Sequence, residues 1–135
     1  MHEWALAESI LVSVQQIAEQ EHLVSVSEVT IRVGALQQVE PTILRFALNQ
    51  MRQDPLVGTK FRILKAKSTL KCRVCNITWQ YNAKKLDKVA AEAIHFVPEV
   101  AHSYIKCPKC GSPDFEIVGG RGVWLEDIKG VKRSD

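Results

Sequence analysis

No stretch of this 135-residue chain approaches the roughly 20 consecutive apolar residues that cross a bilayer, so a membrane-spanning helix is excluded. The first 25 residues intersperse Glu3, Glu8, Glu19 and Glu21 among their apolar positions, which is not the pattern of a secretory signal. The expectation is a cytoplasmic protein with no membrane association. Also absent are a phosphate-binding GxxxxGK[ST] loop, a GxSxG elbow and any nucleophile–base pattern, so the chain is not expected to be an enzyme. Cysteine is scarce, and all four residues fall in two CxxC pairs. Disulfides are not expected of them in a reducing compartment. A redox CxxC centre normally comes singly on a thioredoxin-like framework, and no such framework is legible here.

What is present is the ordinary balance of a globular protein, 46% hydrophobic and 24% charged. The length suffices for one core plus a small metal-stapled module. The net charge of +3 conceals an asymmetry. Residues 1–59 carry three basic and seven acidic side chains, residues 60–110 carry eleven and three, and residues 111–135 carry four and five. A basic middle suits a solvated lysine-rich face, an acidic protein surface or nucleic acid equally well.

Apolar residues recur at Trp4, Ala7, Ile10, Leu11, Val14, Ile17 and Ala18, spacings that predict an amphipathic helix from Trp4 to about Glu21. His22, at its end, reads as a cation capping the helix dipole. Val29, Ile31 and Val33 alternate with Thr30 and Arg32, which predicts a half-buried strand ending near Gly34. Pro41 opens a second helix with Ile43, Leu44, Ala47, Leu48 and Met51 on one stripe. A strand from Lys60 to Leu70 follows. Phe115 to Ile128 reads as another, bent at Gly119-Gly120 and returning to the first sheet. The fold class is therefore α/β (α+β): a small sheet flanked by two helices, with an inserted zinc-ribbon-like module. Residues 1–70 plus 113–135 form the α/β domain and residues 71–112 the insertion.

The pairs Cys72/Cys75 and Cys107/Cys110 each let two thiolates of a tight turn face one ion, with Gly111 easing the second turn. Four thiolates suit tetrahedral zinc in a closed, structural site, although iron fits the same donors. The 31 residues between the pairs exceed the usual interval, at little cost in closure entropy.

The start, "MHEWALAES", offers a different donor set. The α-amine of Met1, the amide and imidazole Nδ1 of His2 and the amide of Glu3 can close fused five- and six-membered chelate rings. Planar nitrogens suit Ni²⁺ or Cu²⁺, whereas zinc prefers the cysteines.

This start, the helix after it and the two CxxC pairs resemble the HypA/HybF family, nickel-insertion proteins of hydrogenase maturation, over nearly the whole chain. The resemblance implies that Met1, His2 and Glu3 bind nickel and that Cys72, Cys75, Cys107 and Cys110 hold structural zinc. "IRVGALQQVEP", from Ile31 to Pro41, matches the family's strand-to-helix turn. The implied function is a non-enzymatic metallochaperone that binds Ni²⁺ at the N-terminus and delivers it for [NiFe] hydrogenase maturation. The implied partners are a nucleotide-hydrolysing protein (a HypB-like GTPase or a related ATPase) and the hydrogenase large subunit precursor. The segment "YNAKKLDKVAAEAIHFVPEVAHSYIK" is longer than in the shorter members.

That segment contains His95 and His102, either of which would give nickel another nitrogen if the zinc module folded over the N-terminus. His95 is preferred. It ends a helix-like run of Leu86, Val89, Ala90, Ala93 and Ile94, whereas His102 alternates with Tyr104 and Lys106 toward water. The alternative function is a zinc-ribbon nucleic-acid-binding module, with Trp79 and Tyr81 stacking bases among lysines. Their alternation with Ile77 is better read as the apolar face of a small ribbon, which argues against nucleic acid.

Overall fold

The computed structural model describes residues 2–37, 39–81 and 88–134. The chain forms two compact units, one of Met1–Arg32, Val39–Leu64 and Trp124–Asp135, the other of Val33–Gln38 and Lys65–Val123.

In the first unit, α1 spans His2–Gln20 and buries Glu3, Ala7, Ile10, Leu11, Val14 and Ala18. The 3.6-residue repeat thus carries the core stripe back to Glu3 and not to Trp4, which stays 43% exposed with its indole edge-on to Phe46. Helix α1 ends in a turn where the His22 N–H donates to the Glu19 carbonyl and His22 takes φ +58°. The helix end is thus closed by a backbone turn in the left-handed region. Helix α2, Pro41–Met51, starts where the Glu40 carboxylate accepts from the Thr42 N–H and Pro41 supplies a first-turn φ. It buries Leu44, Ala47 and Leu48 and packs on α1, while Ile43, expected on the same stripe, is exposed.

Strand β1, Leu23–Gly34, lies between β2, Lys60–Ala66, and β6, Val123–Lys132. Val29, Ile31 and Val33 are buried as their alternation predicts, and Thr30 is buried with them. At the start of β2 the buried Thr59 hydroxyl donates to the Val26 carbonyl at 2.6 Å.

The second unit holds an antiparallel sheet in the order β4-β3-β5, from Thr78–Gln80, Thr69–Cys72 and Phe115–Gly119. Leu70 pairs with Trp79 on one side and Ile117 on the other, and Cys72 pairs with Phe115. The core comprises Leu36, Leu70, Ile94, Ala101 and Phe115, with Trp79 and Tyr81 packed against it. Ile94 comes from α3, Lys88–Phe96, and Ala101 from the 3-10 turn Pro98–Ser103. Helix α3 also meets the 3-10 turn Ala35–Gln37 that follows β1.

Two strands expected to be continuous are each broken. The Lys60–Leu70 run divides into β2 and β3 at Lys67-Ser68, and Phe115–Ile128 divides into β5 and β6 at Gly120-Arg121-Gly122, so only its second half joins β1. The breaks are bonded to one another. Ser68 Oγ, fully buried, donates to the Gly120 carbonyl at 2.6 Å and accepts from the Leu36 N–H at 3.1 Å. The Gly34 N–H donates to the Gly122 carbonyl at 2.8 Å. A Cβ at Gly120 would lie 2.1 Å from the Lys67 carbonyl oxygen, and φ there is +71°. Only glycine fits this close approach.

Candidate metal sites

Each CxxC pair closes the same turn. The Asn76 N–H donates to the Cys72 carbonyl at 3.0 Å and the Gly111 N–H to the Cys107 carbonyl at 2.9 Å. Asn76 and Gly111 both sit in the left-handed region, at φ +66° and +77°. Asparagine is the non-glycine residue most tolerant of that conformation, the signal by which Asn76 is equivalent to Gly111 in sequence. Each turn aims backbone N–H groups at its first sulfur. Val74 and Cys75 donate to Cys72 Sγ at 3.4 Å, and Lys109 and Cys110 to Cys107 Sγ at 3.4 and 3.5 Å.

The turns bring four sulfurs together. Cys72 and Cys110 are 3.6 Å apart, as are Cys75 and Cys107, and all four sulfurs lie within 4.8 Å of one another. Tetrahedral zinc with bonds of about 2.3 Å requires sulfur separations of about 3.8 Å. The cluster is compatible with zinc, and its cysteines form no disulfide.

The environment pulls the thiols apart in acidity. Burial raises the Cys107 thiol, but the amides of Cys110 and Lys109 outweigh it and hold it down at about 6. The Cys75 amide lowers Cys72 against the effect of burial. At Cys110 the Ser112 amide acts to lower the thiol, yet burial and the neighbouring sulfurs push it up to about 11. Four sulfurs this close do not all ionise without a cation among them.

His2 is exposed in the first turn of α1. Glu3 beside it turns inward, 3% exposed, and its carboxylate accepts from the Glu40 N–H at 3.1 Å. Burial alone would raise this carboxyl, but hydrogen bonding, including that from Glu40, lowers it from 4.5 to about 2. Nothing in the local sequence marks this contact between residues 37 positions apart. Met1 lies outside the described residues, and so does the side chain of His95, whose backbone belongs to α3. His102 is exposed as expected but not loose. Its Nδ1 bonds the Pro113 carbonyl at 2.9 Å, with Nδ1 as donor since a carbonyl only accepts, and its ring lies 4.2 Å from that of Phe115.

Trp79, proposed above as either a base-stacking or a core residue, meets Phe115 edge-on at 5.6 Å. Tyr81 packs on the same core. Their apolar surface is used inside the second unit, so the nucleic-acid reading is not favoured.

The chain matches, over residues 1–130, a family model described as hydrogenase/urease nickel incorporation, metallochaperone, HypA. It is 39% identical to the hydrogenase maturation factor HypA of Pyrococcus horikoshii, over 100% of this chain and 99% of that one. It is 41% identical to the factor of the same name from Thermococcus kodakarensis, over 96% and 95%. In fold it is similar to the solution structure of the Ni metallochaperone HypA from Helicobacter pylori, with a TM-score of 0.64, 19% identity and coverage of 98% of this chain and 100% of that one.

Proposed function

Since the chain belongs to the HypA family of hydrogenase/urease nickel-incorporation metallochaperones, we propose that it carries Ni²⁺ on Met1, His2 and Glu3 and holds Zn²⁺ permanently on Cys72, Cys75, Cys107 and Cys110. The observation that carries this reading is the division at the start of α1. His2 faces solvent, whereas the Glu3 carboxylate is engaged by Glu40. The donors left to nickel are nitrogens. In a square plane the His2 amide has two places beside it, for which the Met1 amine, the His2 imidazole and the Glu3 amide compete, and the place opposite falls to a further nitrogen. An amide in the first turn lies outside the i→i−4 ladder, so coordination there breaks no helical bond.

Softness separates the two ions. Thiolates hold zinc in a closed tetrahedron, and planar nitrogens favour nickel. The first unit then has the nickel role and the cysteine-bearing unit the structural one. The protein acts in the cytoplasm without catalysing a reaction, passing nickel to the hydrogenase large subunit precursor with a HypB-like GTPase or related ATPase. His95 supplies that opposite nitrogen in this reading.

Metal analysis of purified, untagged protein tests it. One zinc resistant to mild chelation and one nickel exchangeable with a competing chelator are expected. Two equivalent, equally exchangeable sites would overturn it.

A further inference from the structure

Strand β2 is an edge: among the described residues its only strand neighbour is β1. A groove of about 440 Å³ runs along it, lined by Thr59 through Leu64 on the strand and by Arg45 and Asn49 of α2. The lining includes three cations, Arg45, Lys60 and Arg62, and no carboxylate. Six residues of strand extend about 20 Å, room for one added strand of similar length.

We propose that this groove receives an extended acidic segment of a partner protein, added to the sheet as a strand beside β2. Unpaired backbone groups of an edge strand are a template for such addition, and flanking side chains set its specificity. Phe61 points inward while Lys60 and Arg62 are exposed on the opposite face. Alternate side chains of the incoming segment would therefore meet Arg45 and Asn49 on one face and Lys60 and Arg62 on the other. Arg45 Nε donates to the Phe61 carbonyl at 3.4 Å, a long bond that a well-aligned amide would replace, releasing the guanidinium to a carboxylate. Arg62 is held toward the strand by Glu28, 3.3 Å away. The inference rests on the strand, the helix and their charges, and is independent of the nickel assignment.

Fluorescence anisotropy on the full-length protein tests it, with a labelled octapeptide alternating glutamate and valine. Three further probes accompany it: a lysine–valine octapeptide, the acidic peptide N-methylated at alternate amides, and an oligothymidylate. The acidic peptide is expected to bind, and to weaken at least tenfold in Arg45→Glu and in Lys60→Glu. Lys60 is exposed, so its variant keeps the test valid should Arg45→Glu fail to fold. N-methylation is expected to cost at least tenfold, since it removes backbone donors without changing charge. Absence of acidic-peptide binding, equal binding of the lysine peptide, or indifference to N-methylation would each overturn the proposal. Equally tight oligothymidylate binding would reduce the groove to a general polyanion patch and overturn it too.

Discussion

The carboxylate of Glu3 accepts a hydrogen bond from the backbone N–H of Glu40, at 3.1 Å, and so ties the first turn of α1 to the N-cap of α2. In the proposed reading Glu3 has two separate tasks, its side chain holding the fold and its amide serving as a nickel donor. Glu3→Ala removes a charged acceptor from a part-buried donor, which costs about 1–2 kcal/mol. Chemical denaturation is expected to show that loss while nickel affinity changes little. A collapse of nickel binding in a folded Glu3→Ala protein would make the carboxylate the ligand.

The depressed Glu3 carboxyl, to which this contact contributes, sets a pH dependence. The Glu3 carboxyl lies at about 2 when folded, against 4.5 ordinarily. A depressed carboxyl contributes stability that is fully present above about 4.5 and is lost as pH falls toward 2. The wild-type protein is therefore expected to lose more stability across that interval than Glu3→Gln, which has no charge to titrate. Parallel acid-unfolding curves for the two would refute the assignment.

In the proposed reading zinc holds the second unit. Cys72→Ser or Cys110→Ser is expected to abolish stoichiometric zinc and melt the core around Leu70 and Phe115, because metal binding supplies much of a small module's folding free energy. At pH 7.5 the Cys110 thiol, raised to about 11, is protonated, whereas Cys107, near 6, is ionised. Reloading with zinc should therefore release the Cys110 proton. Calorimetry in buffers of different ionisation enthalpy measures that release, and zinc uptake without it would place a different ligand in the fourth position.

Gly120 and Gly111 share a positive φ but not an environment. A Cβ at Gly120 would collide with the Lys67 carbonyl, whereas a Cβ at Gly111 would meet nothing within 4 Å. Gly111→Ala is expected to cost about 1 kcal/mol, the ordinary penalty of the left-handed region. Gly120→Ala is expected to cost about 3 kcal/mol or more, since backbone must shift as well. Ser68→Ala, which strands the Leu36 N–H, falls between them at about 2 kcal/mol. Denaturation midpoints of the three variants check the order.

These positions also show where sequence reading stops. Periodicity located α1, α2 and β1 because each buries one face, and CxxC spacing located the sulfur cluster because the ligands lie in local turns. Alternation reports which face of a strand is covered, not which strand lies beside it. It therefore did not disclose that Lys60–Leu70 and Phe115–Ile128 each serve two sheets. Ser68 and Glu3 were silent for a related reason: a buried polar side chain is explained by its partner, and Gly120 and Glu40 lie 52 and 37 residues away. Trp4 was assigned to the core stripe on its apolarity, while the helix geometry gave that place to Glu3.

The nickel assignment turns on the amine of Met1. Adding Gly-Ser before Met1 converts that amine into an amide and removes the donor that anchors the chelate, leaving His2 and Glu3 in place. The extension is expected to weaken nickel binding about as severely as His2→Ala, which removes the imidazole. Zinc content should not change in either protein, because the cysteines lie in the other unit. Stability should change little in His2→Ala, since His2 is exposed, in contrast to the cost at Glu3. The absorption spectrum separates the possible outcomes. A planar four-nitrogen complex gives the intense band of diamagnetic nickel, and its loss in both variants would support the Met1–His2–Glu3 set. If the extended protein retained that band with unaltered affinity, Met1 would not be a ligand, and the Glu3 amide would hold the place beside the His2 amide instead.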